Sequence, residues 1–110
     1  MGRLVRGDGV VVPFPFSDLS ASKRRPALVV ATLSGDDVIL CQITSRAIAD
    51  SNAIPVRPTD FETAGLRRDS NVRPDHLFTA DSNIVLYRSG KLTSAKLTEV
   101  LATIVRIFSP

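Results

Sequence analysis

The chain has 110 residues, 44% of them hydrophobic, with no Trp, one Cys and one His. That supplies one domain's worth of core, excludes an internal disulfide, and leaves too few soft ligands for a protein zinc site. Fourteen Lys and Arg against eleven Asp and Glu give a formal charge of +3, which excludes a strongly acidic chain and keeps anionic partners in view.

Seven Pro and six Gly spread along the chain predict short strands and many turns rather than a helical bundle. The opening "MGRLVRGDG" lacks the apolar core of a signal peptide, and no apolar run approaches a membrane span. The expected setting is therefore cytoplasmic, with no membrane. Arg6 to Gly9 reads as a turn. Residues 10–16, "VVVPFPF", read as a strand with Val10, Val12, Phe14 and Phe16 on one face and Pro13 and Pro15 on the other. Prolines cannot donate ladder bonds, so the end of this strand is expected at an edge or out of the sheet.

Ser17 to Arg25 is polar and reads as a loop of functional length. Ala27 to Ala31 is continuously apolar and reads as a strand buried on both faces. Ser34-Gly35-Asp36-Asp37 is a hairpin turn, and Val38 to Thr44 the returning strand. Ile39, Cys41 and Ile43 share one face of it. Val38, Leu40, Gln42 and Thr44 share the other, which turns polar towards its end. Cys41 reads as a small buried hydrophobe.

Further strands are expected over Ala53–Arg57, Ser70–Ala80 and Ile84–Arg88, with a loop over Phe61–Asp69 and a turn at Ser89-Gly90. Thr93 has the chemistry of an N-cap. After it, Leu97, Val100, Leu101, Ile104, Val105 and Phe108 recur at helical spacing as one apolar stripe. The whole reads as a mainly β fold, a small barrel of curled antiparallel strands with a covering C-terminal helix, in a single domain over 1–110.

No Gly-rich phosphate loop, metal-ligand spacing or Ser/His/Asp arrangement stands in the sequence, and the acidic residues are scattered with no carboxylate pair. What remains is cationic. Lys23, Arg24 and Arg25 form one cluster, and Arg67, Arg68 and Arg73 another. Arg25 stands directly before Pro26, which biases it to extended geometry and offers a fixed guanidinium fork for phosphate. A surface arginine at a strand mouth fits the same residue. Arg25 and Thr44 are equally far from a turn centred between Ser34 and Gly35, so a hairpin would bring them together. A threonine chosen for β-propensity fits that position too.

The segment "GDGVVVPFPFSDLSASKRRPALVV" closely resembles the amino-terminal signature of the MazF/PemK toxins. "CQITSR" is similar to their second signature, and "LRRDSNVRPDHLFT" and "KLTSAKLTEVLATIV" resemble the third and the closing helix. The resemblance implies an SH3-like barrel that forms a homodimer. It also implies a metal-independent endoribonuclease of a type II toxin–antitoxin system that cuts single-stranded RNA, needs no cofactor, and is silenced by a cognate antitoxin. Carried over by position, Arg25 and Thr44 become catalytic. Ser17, Asp18, Lys23, Arg24, Ser45 and His76 become RNA-binding residues, His76 competing with a purely structural histidine. Base specificity is expected in the loops Ser17–Arg24 and Ile48–Pro58. The antitoxin is expected as an extended or helical acidic segment in the same basic groove. A non-catalytic toxin of the same fold, gripping a protein as gyrase poisons do, is the alternative.

Overall fold

The computed structural model describes residues 3–15, 22–46, 49–62 and 68–109. Six strands run β1 (Asp8–Pro15), β2 (Ser22–Thr32), β3 (Asp37–Thr44), β4 (Ile54–Val56), β5 (Ser70–Asp81) and β6 (Tyr87–Lys91), followed by helix α1 (Ser94–Phe108). Two 3-10 turns intervene, at Pro58–Asp60 and Ser82–Ile84. The strands form one antiparallel sheet in the order β4-β5-β3-β2-β1-β6. Its two outer ends meet. Phe61, beyond β4, bridges Leu92, beyond β6, and Glu62 N–H donates to Lys91 C=O at 2.7 Å. That closure curls the sheet into a half-barrel under α1. Among the described residues no helix is long and apolar enough to cross a membrane.

Alternation along β2 explains its unbroken apolar run. Leu28 and Val30 join Cys41, Ile43, Val72 and Val100 in one core beneath α1. Ala27 and Val29 join Val10, Val12, Val38 and Leu40 in a second core on the other face. Each strand position therefore feeds a buried layer, which polar residues could not do. Gly7 locks the joint between the layers. Its φ of +101° is open to glycine, its N–H donates to Val29 C=O, its carbonyl accepts from Leu92 N–H, and a Cβ there would sit 3.2 Å from Leu97 Cδ2.

Several expected boundaries move. β2 begins at Ser22, so Lys23, Arg24 and Arg25, expected in a loop, are strand residues paired with Phe14, Pro13 and Val12. Backbone pairing with the long β1 outweighs their polarity. β1 keeps its prolines inside the sheet, and the geometry shows how. Val11 C=O accepts from Leu86 N–H, on the β6 side. Pro13 and Pro15 share that orientation, and β6 pairs no further than Val11, so their missing donors face an open edge. Ser89-Gly90 is not a turn but part of β6, with Gly90 opposite Gly9. A Cβ on Gly9 would meet Ser89 Oγ at 3.0 Å, so the glycines serve a close approach of two strands. Ile84 lies in a 3-10 turn rather than in β6.

α1 starts where Thr93 caps it, its hydroxyl oxygen accepting from Lys96 N–H. Val100 is buried, and Leu97, Leu101 and Ile104 pack against the core. Val105 and Phe108, expected in the same stripe, are 63% and 73% exposed. At about 100° per residue Val105 lies roughly 140° round from Val100, off the buried face. Phe108 closes the last turn.

Candidate functional site

The site begins with the β2–β3 hairpin. Leu28 pairs with Cys41 and Ala27 with Gln42, so two further steps put Arg25 opposite Thr44. A bulge makes this so. Nearer the turn, Ala31 pairs with Ile39 and Thr32 with Val38, an offset of one residue from the rest of the ladder, and the register shifts between Val29 and Ala31. Without that shift Arg25 would meet Ser45 and project from the opposite face to Thr44.

Pro26 then opens the strands. Val29 C=O accepts from Gly7 N–H on the β1 side, so odd positions of β2 face β1 and even ones face β3. The donor that Pro26 lacks is therefore one that would have bonded to β3. The β2–β3 ladder ends one residue short of it, at Ala27 and Gln42. Beyond that point lies a cleft of about 300 Å³, floored by Pro26 and Ile43 and walled by Arg24, Arg25, Thr44, Ser45, Arg68 and Ser70. Arg25 is half-buried and Thr44 only 8% exposed. Thr44 Oγ1 accepts from Arg46 N–H at 3.2 Å, and an oxygen that accepts can still donate its own proton. Three arginines and three hydroxyl-bearing residues border this small cleft, and none of the described residues lining it is acidic, so its charge suits an anion. A larger cleft of about 550 Å³ at the turn end of the hairpin mixes Arg3 with Asp36 and Asp37, whose charges offset.

A second group lies one row away. Gln42 pairs with Arg73, but Cys41 pairs with Leu77, so Pro74, Asp75 and His76 bulge out of β5. Pro74 is fully buried, and Asp75 and His76 are turned outward. Asp50 joins them from the loop after β3. Its carboxylate accepts from Asn52 N–H at 2.9 Å and from Arg73 Nε at 3.4 Å. Those bonds, the Asn52 amide first and then Asp75 and Arg73, hold its carboxyl below the usual range. Ligand atoms of Asp50, Asp75 and His76 lie within 4.8 Å of one another. The carboxylates of Asp50 and Asp75, expected to be scattered, are thus paired by a loop and a bulge. These three could hold a cation, although Asp50 is already engaged by Arg73. Gln42 and Arg73 share the face of Thr44 one pleat along, about 7 Å away by strand rise.

The structure thus brings Arg25, Thr44, Arg24 and Ser45 to one cleft. His76 does not line it and stands in the neighbouring group. Ser17 and Asp18 lie outside the described residues, as does Ile48 of the loop 48–58, and Lys23 is described in its backbone alone. Arg68 and Ser70 line the cleft but were not singled out as site residues. Arg68 belonged to a visible charge cluster, while the Asp50–Asp75 pairing had no local signal. Cys41 is inert, since burial pushes its thiol up to about 12 and Sγ donates to Arg73 C=O at 3.0 Å.

A curled antiparallel half-barrel with a closing helix and a basic, hydroxyl-lined cleft at the end of its central hairpin defines a small β protein with a cationic cleft. The particular family follows from the sequence. Residues 5–108 match the PemK-like, MazF-like toxins of type II toxin–antitoxin systems, and the chain belongs to that family. Among solved structures, a MazE–MazF complex from Deinococcus radiodurans superposes with a TM-score of 0.79 at 20% identity, over 99% of this chain and 98% of that one. An endoribonuclease in complex with its cognate antitoxin, from a mycobacterial species, gives 0.75 at 14% identity over 96% and 95%. The Mycobacterium tuberculosis toxin MazF-mt6 gives 0.72 at 18% over 93% and 96%. At these identities the likeness shows the fold. No curated protein matches the chain in sequence.

Proposed function

We propose that this toxin is an endoribonuclease that cuts single-stranded RNA in the Arg25–Thr44 cleft. RNA carries its own nucleophile. The 2′-hydroxyl attacks the adjacent phosphorus, the 5′-oxygen leaves, and the products are a 2′,3′-cyclic phosphate and a 5′-hydroxyl. No step requires a metal. The protein has to stabilise charge on the phosphorane oxygens, take a proton from the 2′-oxygen and deliver one to the leaving oxygen. The Arg25 guanidinium suits the first task, and the Thr44 hydroxyl donates to a non-bridging oxygen or orients the attacking group. Proton transfer would pass through water to Asp75 and His76 in the neighbouring group. The His76 imidazole can both take and give a proton.

The observation that carries this reading is the convergence of Arg25 and Thr44 on one cleft, in a chain of a toxin family. Arg24 and Ser45 line the same cleft and would hold the strand. Lys23, Ser17 and Asp18 would extend the contact along the β1–β2 connection, and His76 would meet a flanking nucleotide. A cognate antitoxin would be the natural inhibitor, in a complex like that of the mycobacterial endoribonuclease with its cognate antitoxin, and a homodimer would double the groove. The single domain and the cytoplasm, where the RNA is, complete the proposal. Incubation of purified protein with a long single-stranded RNA in EDTA, with both new termini mapped, tests it. Cyclic phosphate and 5′-hydroxyl ends are expected, and Arg25→Ala should abolish them in a folded protein. Intact RNA, or full cutting by Arg25→Ala, defeats the reading and leaves the protein-gripping toxin.

A further inference from the structure

We infer that Arg68 is a second anion-binding arm of the cleft, holding the phosphate next to the one that is cut. The inference deepens the endoribonuclease reading and rests on it. Arg24, Arg25 and Arg68 line one cleft of about 300 Å³, and no carboxylate stands among the described residues that line it. Cationic residues gathered around so small a space favour an anion there.

Arg25 and Arg68 are held differently, and the difference assigns their tasks. Arg25 sits inside a strand, opposite Val12 of β1, and is half-buried. A half-buried guanidinium carried on a paired strand suits charge that develops only during reaction. Arg68 stands on the lead-in to β5 and is exposed. Its backbone is pinned, since the hydroxyl of Ser70, a residue only 5% exposed, donates to its carbonyl at 3.3 Å. Its side chain is solvated. Such an arm meets charge that is present in substrate and transition state alike, which is uniform binding and appears in KM rather than kcat. Successive phosphates of a single strand present that standing charge one nucleotide apart, so the fixed arm takes the reacting phosphate and the free arm its neighbour.

The test uses two substrates. The first is a cleavable RNA with a neutral methylphosphonate placed at the linkage on either side of the mapped cut. Arg68→Ala should raise KM about tenfold with kcat within about twofold. At one of the two linkages the methylphosphonate should cost wild type a similar factor and cost Arg68→Ala nothing more. Arg68→Lys should keep most of the affinity, because a point charge suffices there. The second substrate is a 2′-fluoro RNA, which lacks the attacking hydroxyl. On it, Arg68→Ala should lower the salt slope of binding by about 0.7 whether or not the protein cuts RNA. Melting temperature checks the fold. A fall in kcat at unchanged KM, an unchanged slope, or a methylphosphonate penalty that adds to the Arg68→Ala penalty would overturn the assignment. Each of these leaves the role of Arg25 untouched, whereas loss of the endoribonuclease reading would appear as absent cleavage with the 2′-fluoro slope still measurable.

Discussion

Thr44→Val separates the chemistry of the cleft from the stability of the fold. The substitution keeps the branched shape and removes one oxygen. In the folded protein that oxygen accepts from Arg46 N–H at 3.2 Å, and Thr44 is 8% exposed. Arg46 is exposed, so its amide can turn to water, and the loss is one ordinary hydrogen bond, about 1 kcal/mol. For a chain of this length that lowers the melting temperature by about 4 °C. Starting from roughly 5 kcal/mol of stability or more, at worst about one molecule in a thousand unfolds. The catalytic consequence is of another size. A hydroxyl that donates to a phosphorane oxygen in a preorganised site is worth about 100- to 1,000-fold in rate. Single-turnover cleavage of a fluorescent RNA oligonucleotide by Thr44→Val should therefore slow by about that factor, while Thr44→Ser, which keeps the oxygen, stays within about tenfold of wild type. A Thr44→Val protein that cuts within about threefold of wild type would refute the hydroxyl's role, because an effect that small is what packing alone produces. So would a Thr44→Ser protein as slow as the valine variant.

Two other perturbations follow from the same geometry. Pro26→Ala returns an N–H on the side facing β3, so the ladder can close one step further and narrow the cleft. Stability should stay within about 1 kcal/mol of wild type, the new bond offset by a looser unfolded chain, while cleavage falls about tenfold or more from misplacement of Arg25. An active variant with an unchanged rate would show that the proline does not shape the cleft. Cys41 supplies the pH dependence. Its folded thiol titrates at about 12 against an ordinary 9.0, so the unfolded chain releases a proton that the folded chain keeps. Stability is complete below about pH 9 and falls as pH rises, by up to about 1.4 kcal/mol per unit until the folded thiol itself titrates. Melts at about pH 8 and about pH 10 should diverge more for wild type than for Cys41→Ala, and equal divergence would show that the thiol is not protected.

How much of this the sequence carried depends on the reach of each signal. The helix was legible because its spacing is local, and Thr93 capped it as expected. The pairing of Arg25 with Thr44 was legible from equal distances to the turn, but only because two offsets cancel. The turn alone sets the register one residue off, and the bulge after Val29 restores it. No residue in that run announces a bulge. Lys23 to Arg25 read as loop because polarity is local, whereas their strand is imposed by β1, a partner that pattern cannot see. Ser89-Gly90 read as a turn because glycine has two uses, and the second, room for a facing strand, depends on Gly9 across the sheet. Pro74 inside β5 was the one visible trace of the bulge that brings Asp75 to Asp50.

Pro26 is where local and distant signals coincide. Read locally, a proline after three cations stiffens Arg25. Read in the sheet, it removes the donor that faces β3 and stops the ladder where Arg25 and Thr44 stand across from each other. A ladder that continued would draw the two strands to ordinary spacing and fill the gap with their own backbone bonds. A ladder that stopped earlier would leave Arg25 without the register that aims it. The proline ends pairing one step past the last bond that fixes the hairpin, so the cleft opens directly at the end of a paired ladder. An electrostatic catalyst needs that arrangement, because a guanidinium that must reorganise to meet new charge loses most of its advantage over water.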